Sequence, residues 1–178
     1  MRNIYERHSE GFETENQFLG NGPKIDDLLI KRNMDPARLS HNVLRNAIVE
    51  NYPPDLKPEM PQKKWSKDLY DLVAEKLGLD PEDPKGLSFY NCLGTNLDRR
   101  GVDCFFVFEN PQNNRRGYLE LDITARPNKD GHTSGSILVV NVENFPDPRK
   151  DLKSYMFELT KIAEIIAEKL LQDTGTIH

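Results

Sequence analysis

Val102-Asp103-Cys104-Phe105-Phe106-Val107-Phe108 and, after a short gap, Tyr118-Leu119-Glu120-Leu121-Asp122-Ile123-Thr124 decide how this chain is read. Both runs are rich in β-branched, aromatic and apolar residues, and the Pro-, Asn- and Gly-bearing stretch between them suits a hairpin connection. Three carboxylates interrupt this pattern: Asp103, Glu120 and Asp122. Strands disfavour Asp, and an ionised carboxylate on a buried face is costly unless it is paired or binds a metal. Side chains alternate along a strand, so Leu119, Leu121, Ile123 and Ala125 form one apolar face. Tyr118, Glu120, Asp122, Thr124 and Arg126 form the opposite, polar one. Counting inward from the turn brings Asp103 beside Asp122 or Thr124.

Working outward, the strands are expected near 101–109, 117–126 and 136–143. The third is a near-continuous apolar run that implies cover on both faces. Residues 87–93 are short and apolar-aromatic, ambiguous between strand and helix. Helices are expected from Ile25 to Arg32, from Asp35-Pro36 to Asn51, from Trp65-Ser66 to Leu77, and from Asp147-Pro148 to Leu171, on apolar spacing and capping signals. The first 22 residues read as a polar arm with little structure of its own. Pro53, Pro54, Pro58 and Pro61 make 52–64 a stiff connector. The expected architecture is α+β: a mostly antiparallel or mixed sheet of three to four strands flanked by helices. Residues 1–64 form an N-terminal arm and helical extension, and 65–178 the α/β core, as one compact unit.

Composition narrows the function classes. A charged fraction of 30% beside 37% hydrophobic residues describes a polar, foldable chain rather than a disordered one. No apolar run approaches the ~20 residues needed to span a bilayer, and the opening residues lack a signal-peptide core; the expectation is a cytoplasmic protein with no membrane partner. Cys92 and Cys104 have no metal spacing and read as two buried thiols. The net charge of −5 argues against indiscriminate nucleic-acid binding. It leaves room for a local patch from Arg99-Arg100 or Arg115-Arg116, although such pairs more often only solvate a surface. His8, His41, His132 and His178 are scattered and read as surface or packing residues.

The carboxylates then suggest a site. Asp103 and Asp122, assisted by Glu120, would supply hard oxygen ligands to magnesium or manganese, which fills its other positions with water and phosphate oxygens. The plainer reading is a solvent-exposed sheet face on which Arg126 pairs with Asp122.

Asp98-Arg99-Arg100-Gly101-Val102-Asp103-Cys104-Phe105-Phe106 followed by Leu119-Glu120-Leu121-Asp122-Ile123-Thr124 resembles the core of the PD-(D/E)XK nuclease superfamily, the restriction endonuclease-like proteins. The resemblance matches Asp103 to the first family acid and Asp122 to the second. The stretch from Trp65 to Leu171 is similar to the family order of helix, three-strand meander and helix. It implies a Mg2+- or Mn2+-dependent hydrolase acting on DNA, with Asp103, Asp122 and Glu120 as metal ligands and catalytic acids. Some members add an acid from the first core helix, for which Asp71 and Glu75 are the candidates. The family expects lysine two positions after the second acid, and this chain has Thr124 there. Arg126 or Lys129 would then take the lysine's catalytic role, and Arg99, Arg100, Arg115 and Arg116 would contact phosphates. The alternative keeps the fold without the chemistry: a catalytically inactive module that binds a protein partner, a second copy of itself or nucleic acid. A third reading is an unrelated α+β binding protein.

Overall fold

A computed structural model describes residues 15–80, 82–125 and 137–175. Its framework is a four-stranded sheet in sequence order, β1 Leu87–Asn91, β2 Cys104–Glu109, β3 Arg116–Thr124 and β4 Ile137–Asn141. β1, β2 and β3 form an antiparallel meander, with Phe89 opposite Phe106 and Phe106 opposite Leu119. β4 runs parallel to β3, with Asp122 beside Val139 and Thr124 beside Asn141. The sheet is therefore mixed, and the ambiguous 87–93 segment supplies its first strand. β4 is an edge strand, so Ile137, Leu138 and Val139 are only half-buried, short of the two-sided cover that its apolar run suggested.

Strand alternation sends two sets of apolar side chains to opposite faces. Leu87, Phe89, Cys104, Phe106, Phe108, Leu119, Leu121, Ile123 and Val140 form one face. It packs on α3 (Lys64–Lys76) through Leu69 and Val73, and on α4 (Leu152–Asp173) through Leu159, Ala163 and Ile166. Tyr90, Phe105 and Val107 form the other face, covered by α1 (Ile25–Lys31) through Ile25 and Leu29 and by α2 (His41–Asn51) through Leu44 and Ile48. Residues 25–51 thus cover the second face of the sheet, around a hydrophobic cluster distinct from that under α3 and α4.

Several helix boundaries move for local reasons. Asp35 caps only a 3-10 turn, Pro36–Arg38, and α2 starts afresh after Ser40, whose hydroxyl accepts the Val43 N–H. Ser66 is inside α3, which begins at Lys64, and its hydroxyl donates to the Lys63 carbonyl. α4 opens at Leu152 because Asp151, rather than Asp147, accepts the Ser154 N–H. α3 stops where Gly78 takes φ +71° and the Leu79 N–H reaches back to the Ala74 carbonyl, a glycine C-cap.

Phe106 is fully buried between β1 and β3. Phe106→Ala should cost about 3–5 kcal/mol of stability, measured by urea unfolding. Phe157→Ala, at an exposed position of α4, should change it by less than about 0.5 kcal/mol.

Candidate functional site

The carboxyl ends of β1, β3 and β4 and the start of β2 meet at one end of the sheet. The β1–β2 connection folds over this end. The Thr95 hydroxyl donates to the Cys92 carbonyl and accepts the Leu97 N–H, which sets up a 3-10 turn at Asp98–Arg100. Gly101 closes that turn at φ +85°, a left-handed conformation that glycine adopts without cost, and its N–H donates to the Asp98 carbonyl. The chain then enters β2 through Val102 and Asp103, both buried.

Asp103 is sewn to β3 on either side of Asp122. Its N–H donates to the Leu121 carbonyl at 2.9 Å, and its Oδ2 accepts the Ile123 N–H at 2.5 Å. Continuing the ladder one step beyond Cys104 and Leu121 sets Asp103 opposite Asp122. Burial pushes the Asp103 carboxyl up to about 8, against the Ile123 hydrogen bond, and the nearby charges of Glu15, Asp122 and Asp98 raise it further. Burial also raises Asp98, opposed by the Gly94 N–H at 2.7 Å, by a hydrogen bond from Asp103 and by the Arg99 charge.

A third carboxylate comes from the segment expected to be an unstructured arm. Residues 15–19 are helical, Leu19 is buried, and Phe18 meets Trp65 edge-on at 5.4 Å. The buried Asn91 amide, at the end of β1, donates to the carbonyls of Leu19, Gly20 and Asn21. Gly22 lies so close to Leu93 that a Cβ would fall 1.7 Å from its carbonyl oxygen. The segment is therefore pinned, and it delivers Glu15. Carboxylate oxygens of Glu15, Asp98 and Asp103 all lie within 4.8 Å of one another.

The other expected site residues divide sharply. Glu120, Asp122 and Thr124 share a face of β3, but that face is buried: they are 2, 9 and 6% exposed. The reading of a solvated polar face therefore fails, because α1 and α2 cover it. Glu120 turns toward α2, where its Oε1 lies 2.7 Å from His41 Nε2 and accepts from Arg45 Nη1 at 3.3 Å. It is an ion-paired carboxylate outside the acidic cluster, and His41 is its partner rather than a scattered surface residue. Arg99 and Arg100 flank the cluster, with Arg99 exposed and Arg100 donating to the carbonyls of Ala37 and Leu39. Arg115 and Arg116 sit at the hairpin end, six residues and roughly 20 Å along the strand from Asp103, where Arg116 pairs with Glu109. Asp71 and Glu75 are exposed on α3, and Asp71 pairs with Lys67. Arg126 and Lys129 lie outside the described residues, as do His8, His132 and His178. Cys92 and Cys104 are buried free thiols.

Sequence reading missed Glu15 and Asp98 as site residues. Asp98 opens the same motif stretch as Asp103, and its i+5 spacing across a Gly-closed turn was a usable signal. Glu15 had none, since its place depends on Asn91 and Gly22 far along the chain. No helix among the described residues is long and apolar enough to cross a membrane. No protein-family model, curated protein or solved structure matches the chain significantly.

An unfolded Asp103 would release its proton near ~3.9, whereas the folded one keeps it to about 8. Between those values the folded chain binds more protons, so this group lowers stability as pH rises through the window, and the loss levels off above it. Asp103→Asn, which retains an acceptor for Ile123 N–H, should flatten the fall in stability between pH 5 and 8. It should also leave the variant more stable than the parent at pH 8.5, by urea unfolding across pH. Parallel stability–pH curves for the two chains would contradict this placement of Asp103.

Proposed function

We propose that this end of the sheet binds a divalent cation, Mg2+ or Mn2+, and hydrolyses phosphodiester bonds in DNA, in the manner of the restriction endonuclease-like proteins that the motif stretch resembles. One observation carries the reading: Asp103 is held opposite Asp122 at the start of the β2–β3 ladder, beside Asp98 and Glu15. The donor set consists of carboxylate oxygens, the hard ligands that magnesium takes. Those of Glu15, Asp98 and Asp103 all lie within 4.8 Å of one another, a range that includes the ~4.2 Å between opposite ligands of a magnesium octahedron with ~2.1 Å bonds. Asp103, Asp98 and Glu15 would hold the ion, with Asp122 adjoining. A bound cation of this kind supplies an activated water and neutralises charge growing on the phosphate. The chain's own contribution is to fix Asp103 through Ile123 and to exclude water beneath it with Val102 and Leu121. The exposed Arg99 offers a phosphate contact beside the cluster. The order of α3, an antiparallel meander and α4 also agrees with the resemblance, with β4 inserted before α4.

A second reading rests on Thr124. It is buried at the position where the family places lysine and brings no positive charge, which favours a module that binds metal or a partner without cutting.

Incubation with Mg2+ or Mn2+ and supercoiled, linear duplex and single-stranded DNA, with RNA for comparison, tests the first reading. Metal-dependent cleavage is expected, abolished by Asp103→Asn and by Asp122→Asn. Cleavage that survives both substitutions would place the chemistry elsewhere. Metal binding without any cleavage would decide for the non-cutting module.

A further inference from the structure

A cleft of about 270 Å3 opens beside the acidic cluster, between the Glu15 segment, the start of α1 and the β1–β2 connection. Its rim is tied to the cluster on both sides. Asn16, on one wall, is the chain neighbour of Glu15, and Gly94, on the other, donates its N–H to Asp98 Oδ2 at 2.7 Å. Glu15 and Asp98 in turn bring carboxylate oxygens within 4.8 Å of each other and of Asp103.

The walls are fixed by bonds that leave several of the cleft's side chains unused. Gly22 meets the Leu93 carbonyl too closely for any Cβ, and the Asn91 amide donates to the Asn21 carbonyl at 3.2 Å. Asp26 is spent on Asn96, whose N–H and Nδ2 donate to it at 3.3 and 2.6 Å. The polar side chains left over are those of Asn16, Asn21, Lys24 and Asp27. Among the described residues none of the four has a hydrogen-bond or ion-pair partner. Preorganised walls with uncommitted polar groups are what a ligand site requires.

The chemistry of those groups selects the ligand. Lys24 and Asp27 cancel in charge and no arginine lines the cleft, so it lacks the cations that hold a phosphate. The two carboxamides each offer donors and an acceptor, the combination that reads the edge of a nucleobase. Pro23 and Leu93 add apolar surface for the ring. At Gly94, with φ +78°, an added Cβ would meet nothing within 4 Å, so the rim there is bare backbone open to a ligand. The volume falls just under the ~300–1,000 Å3 of clefts that bury drug-sized ligands; it has room for one base and its sugar and none for a duplex. A nucleotide whose phosphate lies at the carboxylates carries its base one sugar away, at the cleft. That base enters only if it is unpaired and unstacked.

We propose that the cleft takes an unpaired nucleobase next to the scissile phosphate, held by Asn16 and Asn21, so that the substrate is single-stranded DNA; this deepens the phosphodiesterase reading and rests on it.

The test compares a short, end-labelled strand of deoxyadenosine with a strand of the same backbone and length that carries no bases. Binding to the full chain is read by fluorescence anisotropy in Ca2+, which takes the same oxygen ligands, and cleavage is read in Mg2+ and Mn2+. The parent should bind the base-bearing strand about 10-fold more tightly, the worth of two hydrogen-bonding side chains. It should cut that strand at least about 10-fold faster than its duplex. Asn16→Ala combined with Asn21→Ala keeps the backbone carbonyls that Gly20 and Asn91 use. It should erase the preference for bases and raise KM on the single strand about 10-fold. The single variants carry the test should the double one not fold, as judged by its thermal melt. Equal binding of the two strands by the parent, a preference that survives in the folded variants, or a duplex cut as fast as the single strand would overturn the base site. Cleavage that still depends on Asp103 would then leave the phosphodiesterase reading standing without it. Base-dependent binding with no cleavage of any DNA form would uphold the base site and overturn hydrolysis.

Discussion

A carboxylate buried where two strands begin to pair is the constraint on which this end of the molecule depends. Asp103 cannot be removed from β3, because its N–H and its side chain both hold that strand, to Leu121 and to Ile123. Nor can it ionise cheaply there, since water is excluded and three other carboxylates lie nearby. It must keep a proton or gain a cation. The surrounding structure adds acid instead of removing it: Asn91 and Gly22 pin the segment that brings Glu15, and the Gly101-closed turn brings Asp98. Like charges gathered by several independent devices oppose folding unless something positive arrives.

Glu120 shows the other solution to the same problem. It is as deeply buried as Asp103 and sits on the neighbouring strand, yet α2 meets it with Arg45 and His41. A buried carboxylate paired from inside the chain is satisfied there, and removing Arg45 would take away its permanent positive partner. The contrast between the two separates an acid paired with basic side chains from one whose ionisable neighbours are other acids. It also explains why Glu120 lies with His41 and Arg45 and not in the acidic cluster.

Much of this was legible in the sequence, to differing depths. The hairpin, the helices on 25–31, 64–76 and 152–173 and the nearness of Asp103 to Asp122 followed from periodicity, turn chemistry and strand counting, all local rules. The burial of the polar face of β3 did not follow. Alternation of Tyr118, Glu120, Asp122 and Thr124 looks the same whether water or a helix covers it, and only the docking of α2 decides. The parallel pairing of β4 was equally hidden, since an apolar run carries no direction. Glu15 was invisible because its place is set by Asn91, more than seventy residues away in sequence, through contacts with backbone carbonyls that leave no mark on residue 15.

Calorimetric titration with Mg2+ and Mn2+ near pH 7, repeated in buffers of different ionisation enthalpy, goes directly to the central claim that Asp103 exchanges a proton for a cation. Saturable binding that releases about one proton per ion is predicted, with both the binding and the release lost in Asp103→Asn. Absence of binding, or binding with no proton release that is indifferent to Asp103→Asn, would contradict it.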